Sequence, residues 1–360
     1  MSPPNRPVVR TGRGAASNPE GRFESTRSEA IDDGWGSLDE PLPPLQTTVR
    51  PDPARSIISR NKSPDIPFDQ SINPYRGCEH GCIYCYARPS HGYLNLSPGL
   101  DFETRLFYKQ DAAQLLEAEL AARSYRCSPI TIGANTDPYQ PIEREYRVTR
   151  SIIEVLGRHR HPFSIITKSN MIERDVDLLA PLAQDNLVLA LVSVTTLSGD
   201  LKRTLEPRTA SPAARLRAIR TLSAAGVPVG VMVAPVIPVL TDAEMEKILA
   251  AAAQAGARSA GYVVLRLPFE VKDLFREWLQ QHEPLKAQHV MSRMQAMRGG
   301  RDYDSAWGTR QRGQGEYAQL LNMRFHAACR KYGLRTGERF VHNTTLFQPP
   351  VSGPQQLHLL

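Results

Sequence analysis

Three of the chain's five cysteines lie within eight residues, in the stretch NPYRGCEHGCIYCYARP at positions 73–89. Cys78, Cys82 and Cys85 have the spacing Cys-x3-Cys-x2-Cys, and the other two cysteines, Cys127 and Cys329, are far away in sequence. Three thiolates on a short loop can each bind a different iron of a cubane iron–sulfur cluster. The spacing therefore predicts a [4Fe–4S] cluster whose fourth iron is left open for another molecule.

A structural zinc ion is the alternative for this loop. It would take three sulfurs and either His80 or His91 as its four ligands. His80 falls inside the loop, which leaves little chain to wrap around a single small ion.

The composition indicates an ordinary soluble globular protein, with 360 residues, 41% hydrophobic and 22% charged. Prolines interrupt the uncharged stretch from Thr221 to Thr241, so it predicts a buried strand with flanking turns instead of a membrane span. The N-terminus lacks a secretory pattern and the number of cysteines is odd, so we expect reduced thiols in the cytoplasm.

Short β-rich runs alternate with helical patterns from residue 71 onward. The predicted strands are 71–77, 130–135, 163–168, 187–195, 228–234 and 260–266, and the predicted helices are 111–123, 143–158, 173–184, 211–225, 241–255 and 271–281. This alternation is typical of parallel βαβ units, and six units predict an α/β fold of the open, partial (βα)6 barrel type. Ser211-Pro212 has the form of a helix start, and Thr241 to Glu244 that of a capping box.

Polar residues follow several of these strands. Thr136 and Asp137 follow the second strand, Lys168 the third, Ser193 the fourth and Arg266 the sixth. Because the carboxyl ends of parallel strands meet at one mouth, we expect these residues to converge on the cysteine loop. Each of them taken alone is more typical of a cap or turn residue, because Ser, Thr and Asp often start helices.

We divide the chain into three segments. Residues 1–67 contain 11 of the 29 prolines and only two aromatic residues, Phe23 and Trp35, so this segment is predicted to be largely disordered or extended. The patches Asp32 to Trp35 and Ile57 to Arg60 are predicted to contact the body. Residues 68–284 form the predicted barrel, and 285–360 a basic, mainly helical extension.

The basic extension explains the entire net charge of +7, because 11 Lys and Arg face 4 Asp and Glu between Lys286 and Arg339. Aromatic residues are interleaved with these charges, which suits contact with nucleic acid. The alternative is a solvated basic face whose aromatic residues belong to the core.

The loop CEHGCIYC, with an aromatic residue before its third cysteine, resembles the signature of the radical S-adenosylmethionine (SAM) superfamily. The resemblance implies that the amino and carboxylate groups of SAM bind the open iron. One electron, from a flavodoxin or ferredoxin type of donor, would then cleave SAM to a 5′-deoxyadenosyl radical that abstracts a hydrogen atom from a substrate.

Within that superfamily the chain is similar to the spore photoproduct lyase-like group over residues 65–285. The similarity rests on YCYA at 84–87, NTDPYQP at 135–141, ITKS at 166–169 and SVTT at 193–196. It implies that Thr136, Lys168 and Ser193 contact SAM and that main-chain groups around Tyr84 meet its adenine. It also implies that Tyr86 relays a hydrogen atom back to the product radical, with a packed aromatic residue as the alternative.

The chain departs from that group at Ala134, which stands where the lyase has a hydrogen-donating cysteine. Thymine-dimer repair therefore does not carry over, and Cys127 is more simply a small buried apolar residue. Asp137 has two readings, as a ligand of the SAM amino group or as the cap of an Asp-Pro turn. Arg208 and Arg266 are candidates for an anionic substrate, with salt bridges to Glu206 or Glu270 as the alternative.

The leading hypothesis is a radical SAM enzyme that acts on an unknown substrate, with nucleic acid favoured slightly by the basic extension. Modification of RNA or of a protein is open within the same class. The alternative from another class is a non-catalytic nucleic-acid-binding or scaffold protein that keeps zinc or a cluster as a structural staple.

Overall fold

A computed structural model describes residues 11–23, 45–337 and 340–350 of the chain. The strands are β1 Thr48–Pro51, β2 Ile58–Arg60, β3 Gln70–Ile72, β4 Tyr75–Arg76, β5 Arg105–Tyr108, β6 Ile130–Ile132, β7 Phe163–Thr167, β8 Val188–Ser193, β9 Val229–Val236 and β10 Ser259–Val264. The α-helices are α1 Asp101–Thr104, α2 Ala112–Leu120, α3 Glu143–Tyr146, α4 Val148–Arg158, α5 Val176–Ala183, α6 Gly199–Leu205, α7 Pro212–Ala224, α8 Met245–Gln254, α9 Val271–His282, α10 Pro284–Ala296 and α11 Gly315–Tyr332. Short 3₁₀ helices lie at Arg88–Leu94, Asn170–Asp175 and Asp242–Glu244.

The main sheet has seven strands in the order β10-β9-β8-β7-β6-β3-β2. Neighbours from β10 to β3 are parallel, and β2 joins β3 in the antiparallel sense. Its strands are rich in Val, Ile and Leu and largely buried, as expected where helices cover a parallel sheet. The six parallel strands confirm the predicted α/β fold with six βα units, and β10 and β2 form the two edges.

The run 71–77, predicted as one strand, is two short strands in different sheets. β3 belongs to the main sheet, whereas β4 pairs with β5 in a small sheet of order β1-β5-β4. The chain changes direction at Asn73-Pro74, because proline has no N–H for a ladder. The Asn73 side chain accepts a hydrogen bond from the Asn135 N–H (2.7 Å), and the Pro74 carbonyl accepts one from the Lys109 N–H (3.1 Å).

One of the two predicted helix starts is confirmed. The Ser211 hydroxyl accepts a hydrogen bond from the Ala214 N–H, with proline at the first position of α7. The capping box at 241–244 is wrong, since the Thr241 hydroxyl accepts from the Ile237 N–H (2.8 Å) instead. The Glu244 carboxylate likewise accepts from the Leu197 N–H (2.9 Å), so both side chains tie loops together.

The described parts of the N-terminal segment are extended and packed on the body. β1 pairs with β5 and β2 with β3, so both sheets include residues that precede position 67. Ala15 and Ile57 are each only 1% exposed. The predicted contact of 57–60 with the body is present, and the patch 32–35 lies outside the described residues.

The C-terminal region contains α10 and α11, as its mainly helical prediction requires. α11 packs on α8 through buried residues that include Leu321 and Phe325, and Arg335 forms a β-bridge with Ser259 at the edge of β10. The stretch 221–241 contains the end of α7 and the buried strand β9, as predicted. In the described ranges, every helix is too short or too polar to cross a bilayer.

Candidate active site

The cysteine loop lies against the carboxyl ends of the parallel strands. The Ile83 N–H donates to the Leu205 carbonyl (3.1 Å), beyond the end of β8. The Glu79 N–H donates to the Gln140 side chain (2.8 Å), beyond the end of β6. Loop and strand ends therefore meet at one mouth, where active sites of parallel α/β barrels form.

Cys78, Cys82 and Cys85 are free thiols on successive turns of this loop. The first two are each 7% exposed, and the Cys85 N–H donates to the Cys82 carbonyl (3.2 Å). Burial raises the pKa of all three thiols, and the neighbouring Cys82 and Cys85 raise that of Cys78 further. Buried thiolates at this position therefore require positive charge beside them.

Cations are present on two sides of the thiols. Lys168 favours the charged forms of Cys82 and Cys85, Arg215 that of Cys82, and Arg88 that of Cys85. Since metal-bound sulfur is thiolate, this charge suits an iron–sulfur group. The residues present thus fit the predicted cluster.

A single zinc ion would need a histidine as its fourth ligand. Tetrahedral zinc with Zn–S bonds of about 2.3 Å holds its sulfurs about 3.8 Å apart. Within the described ranges, no three His, Cys, Asp or Glu side chains form a group that could hold one ion. His80 Nδ1 lies 3.4 Å from Asp137, and His91 Nε2 lies 3.0 Å from the Arg105 carbonyl, so both proposed fourth ligands already have partners.

A buried ion pair, Arg88–Glu103, holds the cysteine loop in place. Arg88 and Glu103 are each 0% exposed, and the Arg88 Nη2 atom lies 2.5 Å from Glu103 Oε1. Arg88 also donates to the carbonyls of Cys82 (3.0 Å) and Gly81 (3.3 Å). Because arginine has five N–H donors in a planar fork, one side chain can fix several loop carbonyls.

The N-terminal segment completes this support. The Glu103 carboxylate accepts hydrogen bonds from the N–H groups of Gly14 (3.0 Å) and Ala15 (2.9 Å). The sequence did not identify Arg88 or Glu103 as site residues. The proximity of Arg88 to Cys85 was its sole sequence signal.

A second buried network connects the loop with the chain beyond β8 and with α7. The Tyr84 hydroxyl donates to Glu206, and the Thr195 hydroxyl donates to the same carboxylate (2.6 Å). Glu206 pairs with Arg215, and both are at most 1% exposed. The Tyr84 side chain is therefore committed to the protein interior, and Glu206 and Arg215 are further residues that the sequence did not assign to the site.

Lys168 extends from the end of β7 towards this network. Its ammonium donates to the Ala234 carbonyl (2.9 Å) and lies 3.8 Å from Glu206. Burial lowers the pKa of Lys168 to about 8. The amine thus lies beside the cysteine loop, as the sequence predicts.

Thr136 and Ser193 both lie buried at strand ends. The Thr136 hydroxyl donates to the Tyr75 carbonyl (3.1 Å). The Ser193 carbonyl accepts from Arg215 (3.0 Å), while its hydroxyl has no hydrogen-bond partner among the described residues. The Ser193 hydroxyl is thus available for a ligand.

Asp137 is occupied by protein donors. Its carboxylate accepts from the Tyr139 N–H (2.9 Å), the Thr167 hydroxyl (2.7 Å) and the Lys168 N–H (2.7 Å). Burial raises the pKa of Asp137, but His80 and these donors outweigh burial and hold it below its usual value. These contacts include the turn cap that was one of its two predicted roles.

Tyr86 reaches across the mouth. Its hydroxyl donates to the carbonyl of Ala134, just beyond β6, and its ring lies 5.1 Å from the Arg266 guanidinium, just beyond β10. Its side chain is 46% exposed. The ring is therefore not packed in the core. The hydroxyl contacts the main chain of Ala134, the position at which the sequence comparison expects a cysteine in the lyase.

The two candidate arginines, Arg208 and Arg266, do not form the salt bridges that were the alternative for them. Arg208 pairs with Glu79 (2.5 Å) and not with Glu206. Glu270 pairs with Arg22 (2.9 Å) and not with Arg266. Arg266 forms no ion pair with any carboxylate of the described residues.

Part of the charge in the basic extension is neutralised by ion pairs. Arg324 pairs with Glu246 (2.7 Å) and Arg310 with Asp65 (2.6 Å), while Phe325 is 1% exposed. Trp307, by contrast, is 65% exposed. The ion pairs and the buried Phe325 agree with a solvated basic face whose aromatic residues belong to the core, whereas the exposed Trp307 does not.

Comparison with known proteins identifies related chains. The family described as "Radical SAM superfamily" matches residues 72–252, which is half of the chain. An uncharacterised protein of Mycobacterium tuberculosis is 40% identical over 229 residues, which cover 62% of this chain and 67% of that protein. Another, of Methanocaldococcus jannaschii, is 29% identical over 191 residues, which cover 53% of this chain and 68% of that protein.

A solved structure of spore photoproduct lyase, complexed with dinucleoside spore photoproduct, has a similar fold. Its TM-score is 0.57 at 16% identity, with 79% of this chain and 80% of that chain covered. At this identity the likeness shows the fold alone, and it confirms the predicted fold class.

Proposed function

Because this chain belongs to the radical SAM superfamily, we propose that it binds a [4Fe–4S] cluster through Cys78, Cys82 and Cys85 and cleaves SAM reductively. The superfamily uses this cluster together with SAM. The observation that carries the proposal is a loop of three free thiols over the strand ends, two of them buried and that of Cys85 half-buried, without a fourth cysteine beside it. When bound, the two cofactors supply a 5′-deoxyadenosyl radical that abstracts a hydrogen atom from the substrate.

The protein's part in cluster binding is to hold three thiolates in place and to balance their charge. Arg88 fixes the loop carbonyls, so the sulfurs are positioned before any metal arrives. Lys168 and Arg215 offset the negative charge of Cys82. This arrangement is preorganised in the sense that binding requires little new ordering of the loop.

For SAM, we assign contacts to residues at the ends of β6, β7 and β8. The Lys168 ammonium suits the SAM carboxylate, and the unpaired Ser193 hydroxyl suits a polar group of the ligand. Thr136 and the main chain around Tyr84 complete the surface. Asp137 is assigned a positioning role, because its oxygens accept hydrogen bonds from the Lys168 N–H and other protein donors.

For hydrogen return, we assign Tyr86 as the donor. Its phenol contacts the main chain of Ala134, whose methyl side chain offers no hydrogen atom of the kind that a thiol donates. The 46% exposure of Tyr86 leaves the ring accessible from the mouth. Donation of a hydrogen atom from the phenol to a substrate radical would leave a tyrosyl radical, which a later electron and proton return to phenol.

The electron donor is proposed to be a small protein of flavodoxin or ferredoxin type, and the location the cytoplasm. Nucleic acid is retained as the favoured substrate class on the strength of the basic extension. The zinc-stapled scaffold receives no specific support, because His80 and His91 both have other partners.

The test is anaerobic. The full-length protein is reconstituted with iron and sulfide, reduced with dithionite and mixed with SAM, and 5′-deoxyadenosine is measured. We expect product from the wild type and from the matched controls Cys127→Ala and Cys329→Ala, but none from Cys78→Ala. Product from Cys78→Ala, or zinc instead of iron in the wild type, would overturn the proposal.

A further inference from the structure

Arg266 lies at the mouth, and the proposed reaction leaves its chemistry unused. It lies two residues beyond the end of β10, and its guanidinium stands 5.1 Å from the Tyr86 ring. Its Nη2 atom donates to the Tyr303 hydroxyl (3.2 Å). Its Nε atom is buried without a hydrogen-bond partner among the described residues.

A second guanidinium lies close to Arg266. Arg298 is 4% exposed and donates to the carbonyls of Leu265 (3.0 Å) and Arg310 (2.7 Å). Burial, together with the positive charge of Arg266, lowers the pKa of Arg298. Asp304 is a nearby carboxylate, and its oxygens accept from the Ala306 N–H (3.0 Å) and the Thr309 hydroxyl (3.1 Å). Asp304 offsets part of this effect on Arg298, but neither guanidinium forms an ion pair with a carboxylate of the described residues.

Other arginines in this part of the molecule are paired. Arg22 pairs with Glu270 (2.9 Å), Arg208 with Glu79 (2.5 Å) and Arg276 with Asp302 (2.8 Å). A buried guanidinium N–H without an acceptor is unfavourable, because it loses its hydrogen bond to water. The Nε–H of Arg266 lacks such an acceptor although Nη2 has one, and this points to a ligand.

We propose that Arg266, together with the Tyr303 hydroxyl, binds an oxyanion of the substrate at the mouth, beside Tyr86. The inference rests on the proposed function for its location and adds the chemical class of the substrate, one that carries a phosphate or carboxylate group. A guanidinium binds either group through two parallel hydrogen bonds. Packing against the Tyr86 ring fixes the orientation of its plane.

The position of this oxyanion site follows from the contacts of Tyr86. The phenol contacts Ala134 on one side, and the ring faces Arg266 on the other. A substrate anchored at Arg266 would therefore have its reacting part beside the assigned hydrogen donor. Arg266 is a binding residue in this arrangement and takes no part in bond breaking.

The first experiment reads out Arg266 directly. Phenylglyoxal modifies accessible guanidinium groups, and peptide mass spectrometry measures the extent of modification at each arginine of the full-length protein. Three probes compete: a thymidine dinucleotide with its phosphodiester, the same dinucleotide with a neutral methylphosphonate, and succinate. Protection of Arg266 by the phosphodiester alone supports a phosphate ligand, and protection by succinate alone supports a carboxylate.

Arg276 is the matched internal control, since it is partly exposed but paired with Asp302. Its modification should not change with any probe. Equal protection of Arg276 and Arg266, or protection by the neutral dinucleotide as strong as by the charged one, overturns the proposal. Lack of protection by every probe also overturns it.

The second experiment measures the dissociation constant of the protecting probe by calorimetry. Arg266→Gln should weaken binding about tenfold or more, as expected for loss of a charge-assisted hydrogen bond, while Arg276→Gln should not. Unchanged affinity of Arg266→Gln would overturn the proposal. Neither experiment depends on SAM cleavage, so failure here is distinguishable from failure of the proposed function, which 5′-deoxyadenosine formation tests.

Discussion

The substitution Glu103→Gln should loosen the cysteine loop although Glu103 touches no cysteine. Its carboxylate pairs with Arg88 and accepts the N–H groups of Gly14 and Ala15, all in the interior. Glutamine keeps the shape but has one acceptor oxygen and a donating NH₂ group in place of the second oxygen. The buried charge of Arg88 would then have no counter-charge from position 103.

The size of the effect follows from this burial. Removing one partner of a buried ion pair costs about 3–5 kcal/mol. An unfolding entropy of about 2.1 cal/mol/K per residue, over the 360 residues of the chain, gives about 0.76 kcal/mol/K. The expected fall in Tm is therefore about 4–7 °C.

Two measurements check this prediction, namely the Tm of the metal-free protein and the iron content after anaerobic reconstitution. We expect both to fall in Glu103→Gln, because Arg88 also holds the carbonyls of Gly81 and Cys82. Asp200→Asn is the control, since Asp200 forms its ion pair with Arg203 at the surface, where such pairs contribute little. A Tm and iron content equal to those of the wild type in Glu103→Gln would refute the reasoning.

Three further substitutions test other contacts. Gly14→Ala should lower both Tm and iron content, because the added Cβ would lie 1.8 Å from the Gly81 carbonyl oxygen. Gly199→Ala is the control, since there is open space around Gly199. Equal Tm and iron content in the two variants would contradict the contact between Gly14 and Gly81. Lys168→Ala should weaken SAM binding about tenfold or more in calorimetry while iron content is kept, and unchanged affinity would remove Lys168 from the SAM site. Burial lowers the pKa of His161 to about 4, so the unfolded chain binds its proton more readily and stability falls as pH drops from 6.5 towards 4. The loss is about 2 kcal/mol at pH 5. His161→Gln should therefore reduce the difference in Tm between pH 7 and pH 5. If the difference is as large as in the wild type, the pH dependence of stability arises from other groups.

The sequence was sufficient for the order of the βα units. Each parallel strand is a run of buried β-branched and aliphatic residues, as in Val188–Ser193, and such a pattern is local. The sequence did not predict side-chain contacts in which a group distant in the chain competes with a local one. Glu244 has the spacing of a capping box but accepts from the Leu197 N–H, a contact that only the folded chain creates.

The site divides in the same way. The cysteine ligands could be proposed from the sequence because three residues of one short loop would carry the chemistry, and their spacing is visible without a fold. Glu206 was not assigned, since its partners Tyr84 and Thr195 come from the cysteine loop and from the chain beyond β8. Glu103 likewise acts through Gly14 and Ala15, about ninety residues earlier, and no local pattern announces such a contact.

These two networks have different consequences for the proposed enzyme. Arg88 follows Cys85 in the chain and donates to the carbonyls of Gly81 and Cys82, which precede it, so it also helps to fix where the next residue, Tyr86, leaves the loop. From that origin the phenol reaches Ala134, and its ring reaches Arg266. Because Tyr86 directly follows Cys85 in the chain, the distance between the proposed cluster ligands and the assigned hydrogen donor is short and fixed. The proposed oxyanion would instead be positioned by Arg266, which follows the edge strand β10. Substitutions at Arg266 should therefore alter which substrates bind without moving Tyr86 away from the cysteine loop.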